Sequence, residues 1–224
     1  MRQQKMDLWY RDLRSRPTAA SQCFDHDYIQ YTPVLATLRG LVLDIGGGNG
    51  IIRHYLSPDA RYVNLEPSLA WLEPEWAALT DDFPCLSRSL PSVNGLGEML
   101  PFTEECFDAA VSFWSLNHSR HPQAVLAEAH RVLKPAGLFL VVLEDMEPGW
   151  LDLMKFSVTR QRSAFGGKDF ARKVVWSLQG KKWTLQDDHI RITEPEFLSW
   201  VAGRFIIVRR WWIKRYLNVE LKRL

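Results

Sequence analysis

Cysteine is scarce in this chain: Cys23, Cys85 and Cys106 are the only three in 224 residues, and they stand far apart. An odd, scattered set does not make a disulfide framework and fits a reducing cytoplasm. It also lacks metal-ligand spacing, so no metal is expected. Excess charge of one sign is missing too. The formal net charge is +2, too small to imply nucleic acid by itself. The imbalance is local: from Val201 to Leu224, seven Lys/Arg face a single acid, Glu220. Such a run suits a phosphate or an anionic membrane surface; its plainer reading is an edge strand kept soluble by charge. No apolar run approaches the roughly 18 residues that a membrane span needs. The opening "MRQQKMDLWYRDLRSR" does not read as a signal peptide. Internal repeats and low-complexity linkers are absent. The expectation is a soluble, cytoplasmic protein, with no signal for an oligomeric state.

What is present is alternation. "LVLDIG" (Leu41–Gly46) is a short buried-strand pattern, and "NGIIRHYLS" can start a helix. "RYVNLEP" is a second strand ending on an acid. "LAWLEPEWAAL" is interrupted by Pro74 and predicts at best a short helix. "SLPSVNG" is a weak third strand and "FDAAVSFWSL" (Phe107–Leu116) a strong fourth. "PQAVLAEAHRVLK" places Val125, Leu126, Ala129, Val132 and Leu133 at helical spacing, and Lys134, Pro135 and Gly137 mark its end. "GLFLVVLE" is apolar throughout, as a central parallel strand should be. Strand and helix alternating over short links predict an α/β doubly wound parallel sheet. Beyond Glu144 the rhythm gives way to an aromatic, basic segment without a clear strand. "TEPEFLSWV" then starts a helix, with Thr193 and Glu196 spaced for a capping box and Pro195 in its first turn. "RFIIVRRWW" and "KRYLNVELK" close the chain as two strands.

The densest motif is "VLDIGGGNG" (Val42–Gly50). A glycine-rich turn at the carboxyl end of a parallel strand lets a ligand approach backbone without meeting a Cβ. A dinucleotide site requires Gly-x-Gly-x-x-Gly; here Gly46 and Gly48 fit, but the third place falls on Ile51. The spacing that does fit is Asp-x-Gly-x-Gly-x-Gly, through Asp44, Gly46, Gly48 and Gly50. An acid ahead of the glycines repels pyrophosphate and favours an ammonium. Glu66 ends the second strand, 20 residues past Gly46, where an acid holds ribose hydroxyls in such sheets.

These residues resemble the class I S-adenosylmethionine-dependent methyltransferases. "VLDIGGGNG" is similar to their first motif. "GLGEMLPF" (Gly95–Phe102) resembles their Gly-Asp-Ala-Glu-x-Leu-Pro-Phe segment, and "FDAAVSFWSLNHSRHPQAVLAEAHRVLKPAGLFLVV" their fourth strand, following helix and Arg-Val-Leu-Lys-Pro-Gly-Gly turn. "DHIRITEPEFLSWV" resembles a late family segment. The likeness runs from about Leu41 to Val142 and again from Asp188 to about Val208. It is to the small-molecule subgroup with the Leu-Pro-Phe and Arg-Val-Leu-Lys-Pro-x-Gly segments. Leu96 stands where the family carries the aspartate that meets adenine, Gly97 where it carries Ala, and Ala136 where it carries Gly.

The resemblance implies a Rossmann-like, mostly parallel seven-stranded sheet with helices on both faces and a helical insert after the fifth strand. Within a single domain of 224 residues, 1–39 form an N-terminal helical cap and 40–144 the cofactor-binding core. Residues 145–188 form the helical substrate-cap insert, and 189–224 the C-terminal helix and strands. The cofactor is S-adenosyl-L-methionine, leaving as S-adenosyl-L-homocysteine. It implies cofactor contacts at Asp44, Gly46, Gly47, Gly48, Gly50, Glu66, Pro67, Gly97, Glu98, Met99, Trp114 and Leu116. The acceptor is expected among Tyr28, Tyr31, Asn117, Asp145, Trp150 and Phe156. His118 and His189 are the candidate bases, each with a structural histidine as the plain alternative. The function implied is methyl transfer to a small-molecule acceptor, aromatic or amphipathic, through an O, N or C nucleophile. Two alternatives stand beside it: a tRNA or protein methyltransferase using the basic C-terminal region, and a catalytically silent binding subunit, which Leu96 keeps open. No nucleic-acid partner is expected on the leading reading.

Overall fold

The structure is a computed structural model. It describes residues 11–12, 15–68, 79–144, 167–179, 181, 189–213 and 216–224, with backbone alone at 167–170. Helices α1 (Pro17–Tyr28) and α2 (Thr32–Leu35) precede strand β1 (Gly40–Ile45). There follow β2 (Ala60–Leu65), β3 (Ser92–Val93), β4 (Phe107–Phe113), helix α3 (Pro122–Val132) and β5 (Leu133–Leu143). Helices α4 (Gly167–Leu178) and α5 (Glu194–Val201) lead to β6 (Phe205–Ile213) and β7 (Tyr216–Arg223).

The strands form one seven-stranded sheet in the order β3-β2-β1-β4-β5-β7-β6. β1 to β5 pair in parallel; β7 lies antiparallel to β5, and β6 antiparallel to β7. Side chains alternate between the faces, as the two-residue period of a strand requires. Leu43, Ile45, Phe139, Val141 and Leu143 join one core with the apolar stripes of α3 and α5. Val42, Val111, Phe113, Leu140 and Val142 join another with Phe24, Tyr31 and Leu35 of the N-terminal helices and turn. With both faces covered, this is the Rossmann-like doubly wound architecture expected from the alternation.

Helix α3 shows what positions the elements. Its start has Pro122 in the first turn and no side-chain cap from His121. Its buried stripe of Val125, Leu126, Ala129 and Val132 outweighs that weak start, at roughly 1.5–3 kcal/mol for each large apolar side chain removed from water. The helix is also latched to the "GEMLPF" segment. Glu128 accepts from the Leu100 N–H (2.8 Å), and Arg131 donates to the carbonyls of Phe102 (2.8 Å) and Leu100 (2.9 Å). Helix α5 carries the capping box expected of Thr193 and Glu196, both reciprocal bonds being present.

Several sequence expectations change. The helix expected at "NGIIRHYLS" is a single 3-10 turn, Ile51–His54. Pro58 disfavours helical geometry at Ser57, and the Ser57 carbonyl instead accepts from the Ala60 N–H that opens β2. The fourth strand stops at Phe113, not Leu116, because Trp114 takes φ +52°. The fifth begins at Leu133, immediately after α3. The short helix expected near Pro74 lies largely outside the described residues, as does most of the 145–188 insert; its described part is the helix α4. Of the basic C-terminal run, Arg209 and Arg210 fall on the exposed edge strand β6 and Lys222 and Arg223 on β7, with Arg209 paired to Glu220 (2.6 Å) and Arg210 to Glu194 (2.7 Å); Lys214 and Arg215 lie outside the described residues.

Ala136, in the turn that opens β5, sits at φ +63°. A left-handed conformation costs a non-glycine residue about 1–2 kcal/mol, while glycine adds about 0.4–1 kcal/mol of unfolded-state freedom. Ala136→Gly is therefore expected to stabilise the protein by up to about 1 kcal/mol in urea unfolding. A measured destabilisation would show that the turn accommodates the methyl group without strain.

Candidate active site

The site lies at the carboxyl ends of β1, β2, β4 and β5, where strand order reverses between β1 and β4. β1 delivers Asp44 to the end of the sheet, and the chain then turns through Gly46 (φ +76°), Gly48 (φ +55°) and Gly50 (φ +71°). The glycines serve the chain's own packing first. A Cβ on Gly46 would stand 2.5 Å from that of Ser115, and one on Gly47 would overlap the Asp44 and Asn64 side chains. The turn is thus pressed against its own strands, which the motif alone did not reveal.

Asp44 is buried and accepts from the Tyr62 hydroxyl at 2.7 Å. Burial raises its pKa from 3.8 to about 7; the Tyr62 hydrogen bond opposes the rise only in part. Asn64, on the neighbouring strand, donates to the Gly48 carbonyl at 2.9 Å. Glu66, also buried, accepts from the backbone N–H groups of Gly48 (3.1 Å) and Ser68 (2.9 Å). A carboxylate offers about four acceptor positions, so these bonds do not preclude ribose hydroxyls. Two buried acids thus flank the middle of one bare turn, Asp44 beside Gly47 and Glu66 at the Gly48 N–H. Tyr62 and Asn64 were not among the expected site residues; polar side chains inside an otherwise buried strand were the available signal.

The remaining expected cofactor residues divide. Pro67 is exposed, and its carbonyl accepts from Asn94 Nδ2 at 3.0 Å. Gly97 packs under Ile45 and Val125, where a Cβ would stand 2.9 Å from Ile45 Cγ2. Glu98 braces the backbone: its carboxylate accepts from the N–H groups of Arg120 (2.8 Å) and His121 (3.3 Å), fixing the approach to α3. Leu116 is a core residue beneath α3. Met99 is 76% exposed and Leu96 56% exposed.

Trp114 lies in an aromatic group on the other side of β4. Its ring meets Tyr28 at 5.1 Å, Phe113 at 5.5 Å, Tyr216 at 5.7 Å and Tyr31 at 6.1 Å between centroids. The structure thus brings Tyr28 and Tyr31, from the N-terminal segment, onto the end of β4. Tyr31 Oη and Trp114 Nε1 are buried and make no hydrogen bond among the described residues. Burial pushes the Tyr31 phenol upward, so it remains a donor.

Beyond β4 and β5 the two candidate bases converge. His118 Nε2 stands 3.6 Å and His189 Nε2 3.3 Å from Glu144 Oε1, and the two rings meet edge to face at 4.4 Å between centroids. His118 is the more open, its side chain 21% exposed against 1% for His189 and 13% for Glu144. Asn117 is fully buried and acts as a clamp, not as an open acceptor contact. Its side chain accepts from the Glu144 N–H (3.2 Å) and donates to the Ile190 carbonyl (3.1 Å), while its backbone carbonyl accepts from the Ile190 N–H (2.7 Å). Asp145, Trp150 and Phe156 lie outside the described residues.

Known proteins resemble the domain that carries this geometry. Residues 43–141 match a family model described as a methyltransferase domain. The chain is 31% identical over 118 residues to the uncharacterized protein YafE of Escherichia coli, covering 51% of this chain and 56% of that protein. It is 30% identical over 176 residues to the ubiquinone/menaquinone biosynthesis C-methyltransferase UbiE of Bartonella tribocorum, covering 73% of this chain and 65% of that one. The chain thus spans between half and two-thirds of the length of these relatives. Among solved structures, the 1,6-didemethyltoxoflavin-N1-methyltransferase of Burkholderia thailandensis, with bound 1,6-didemethyltoxoflavin and S-adenosylhomocysteine, superposes with a TM-score of 0.57 at 18% identity, over 96% of this chain and 88% of that one. No helix among the described residues is long and apolar enough to cross a membrane. Residues 43–141 thus match a methyltransferase domain, and the sheet that carries them shares the fold of the solved methyltransferase.

Proposed function

We propose that the chain transfers a methyl group from S-adenosylmethionine to a small-molecule acceptor. The observation that carries this reading is the pair of buried acids beside the glycine turn, Asp44 against Gly47 and Glu66 at the Gly48 N–H. Asp44 suits the ammonium of the cofactor's amino-acid end, and Glu66 suits the ribose hydroxyls. Leu96 and Met99, both exposed and apolar, flank the adenine end in place of an acid. The bound cofactor supplies an electrophilic methyl group whose leaving atom needs no covalent help. The protein's work is then to align the acceptor and to keep water out.

The acceptor side is built from Tyr28, Tyr31 and Trp114 and from the His118–Glu144–His189 group. An aromatic wall with a few converging polar groups suits a small aromatic or amphipathic molecule. The relatives named for quinone biosynthesis and for toxoflavin methylation support that class. Where the acceptor must lose a proton, His118, the more open histidine, receives it.

Calorimetric titration with S-adenosylhomocysteine tests the cradle. The ligand at about 100 times its Kd is expected to stabilise the fold by about 2.7 kcal/mol, while NAD gives no shift. Gly48→Asp, which sets a carboxylate in the turn beside Glu66, is expected to abolish binding. Normal binding by a folded Gly48→Asp protein would move the cofactor site elsewhere. Transfer of labelled methyl to a metabolite extract then identifies the acceptor.

The Asp44 titration gives a second expected outcome. Its folded pKa, about 7, lies above the ordinary 3.8. The stability it contributes to the cofactor-free protein is therefore fully present below the ordinary value and is lost as pH rises through 7. The ionised form is also the one that attracts an ammonium. The thermal shift produced by S-adenosylhomocysteine should accordingly grow from pH 6 to pH 8, by about tenfold in affinity per pH unit below the Asp44 pKa. A shift that stays flat across this range would show that Asp44 does not meet the ammonium.

A further inference from the structure

We infer that His118, Glu144 and His189 form a binding site for one divalent metal ion of the zinc type. The inference rests on reading the adjoining cleft as the methyl-transfer site, and it deepens that reading by giving the acceptor a chemistry. The three potential ligand atoms, one from each side chain, all lie within 4.8 Å of one another. Nitrogen and oxygen ligands bind zinc at about 2.0–2.2 Å in tetrahedral geometry, which sets neighbouring ligand atoms about 3.3–3.6 Å apart. The two histidine–carboxylate separations are 3.3 and 3.6 Å. Both exceed the 2.7–3.2 Å typical of a good N–H···O hydrogen bond. These two separations fit ligands around a common centre better than directly bonded pairs, and the third, between the two imidazoles, is no more than 4.8 Å, within reach of a small side-chain adjustment.

The scaffold supports the same reading. The ligands come from the turn after β4, the end of β5 and the segment before α5. The buried Asn117 amide joins these supports, bonding the Glu144 N–H and the Ile190 carbonyl from a position next to His118. Metal sites depend on ligands being held in place before the ion arrives. Two imidazoles and one carboxylate select zinc, cobalt or ferrous ions over magnesium and calcium, which take oxygen ligands. Three protein ligands also leave a coordination position open, as catalytic sites do. An acceptor hydroxyl or phenol bound there would release its proton to bulk water near neutral pH, and its oxygen would form the new bond to the methyl carbon as the cofactor's sulfur–methyl bond breaks, leaving S-adenosylhomocysteine. His118 would then serve as a ligand, and the preferred nucleophile would be oxygen.

The test uses the full chain without an affinity tag, equilibrated with Co2+ as a spectroscopic probe and with Zn2+ as competitor. Expected are visible cobalt absorption at one ion per chain, displacement by Zn2+ and no displacement by excess Mg2+. Glu144→Gln and His189→Ala should each weaken Co2+ binding by at least about tenfold, the low end of what disturbing a metal site costs. The S-adenosylhomocysteine thermal shift is measured on the same samples. Its retention shows that the variants are folded and that the donor site stands. Cofactor binding without metal binding by the parent protein overturns the inference and spares the methyl-transfer reading. Co2+ binding unchanged in both variants also overturns it, by placing the ion elsewhere, for instance on Cys23, Cys85 or Cys106. Metal binding that requires Glu144, without any cofactor shift, upholds the site and refutes the reading on which its chemistry rests.

Discussion

The burial of Asp44 is the constraint from which the donor side of the cleft follows. A carboxylate in a dry environment resists ionisation, and here its pKa is about 7. A protein keeps such a group where something is to be gained from its charge. Tyr62 reaches it with a hydroxyl, Asn64 ties the next turn to the adjacent strand, and Glu66 holds the Gly48 N–H. Each of these side chains comes from β2 or its end. The bare turn is thus fixed by the neighbouring strand, and Gly47 is the condition for approaching that strand closely, as Gly46 is for approaching Ser115 beyond β4.

Much of this was legible in the sequence, because the relevant signals are local. The strands announced themselves as short apolar runs, and Asp44, the glycines and Glu66 lie at characteristic distances along one β-turn-β unit. The Thr193–Glu196 capping box was legible for the same reason: both members fall within one helical turn. The coupling of "LPF" to "RVLKPAG" has a physical cause that the sequence does not show. Arg131 reaches back across the helix to the carbonyls of Leu100 and Phe102, and Glu128 receives the Leu100 N–H. Two segments that carry the resemblance as separate motifs are one latch.

What the sequence left out concerns distance in space. Glu98 matched a position expected to meet cofactor, yet its carboxylate is engaged by the backbone ahead of α3. A match by position does not say which way a side chain is turned. Leu116 shows the complementary case: it follows the strand that delivers Trp114, and beyond the left-handed backbone at Trp114 its side chain lies in the core. The ends of strands, where a single residue changes the chain's direction, are the places where local pattern loses its hold.

The His118–Glu144–His189 group shows the same limit from the other side. No spacing rule joins three residues separated by 26 and 45 positions; only the sheet order and the return of the chain before α5 do so. Asn117 is the element that makes their meeting reproducible, since a buried amide must satisfy its polar atoms and does so on two of the three supports at once. The carboxyl ends of the sheet therefore carry two independently braced groups. One is braced across β1 and β2 by Asp44, Tyr62 and Asn64. The other is braced across the ends of β4 and β5 by Asn117. Loss of one brace need not loosen the other, so in the proposed function donor binding and acceptor chemistry are free to vary separately on a common sheet.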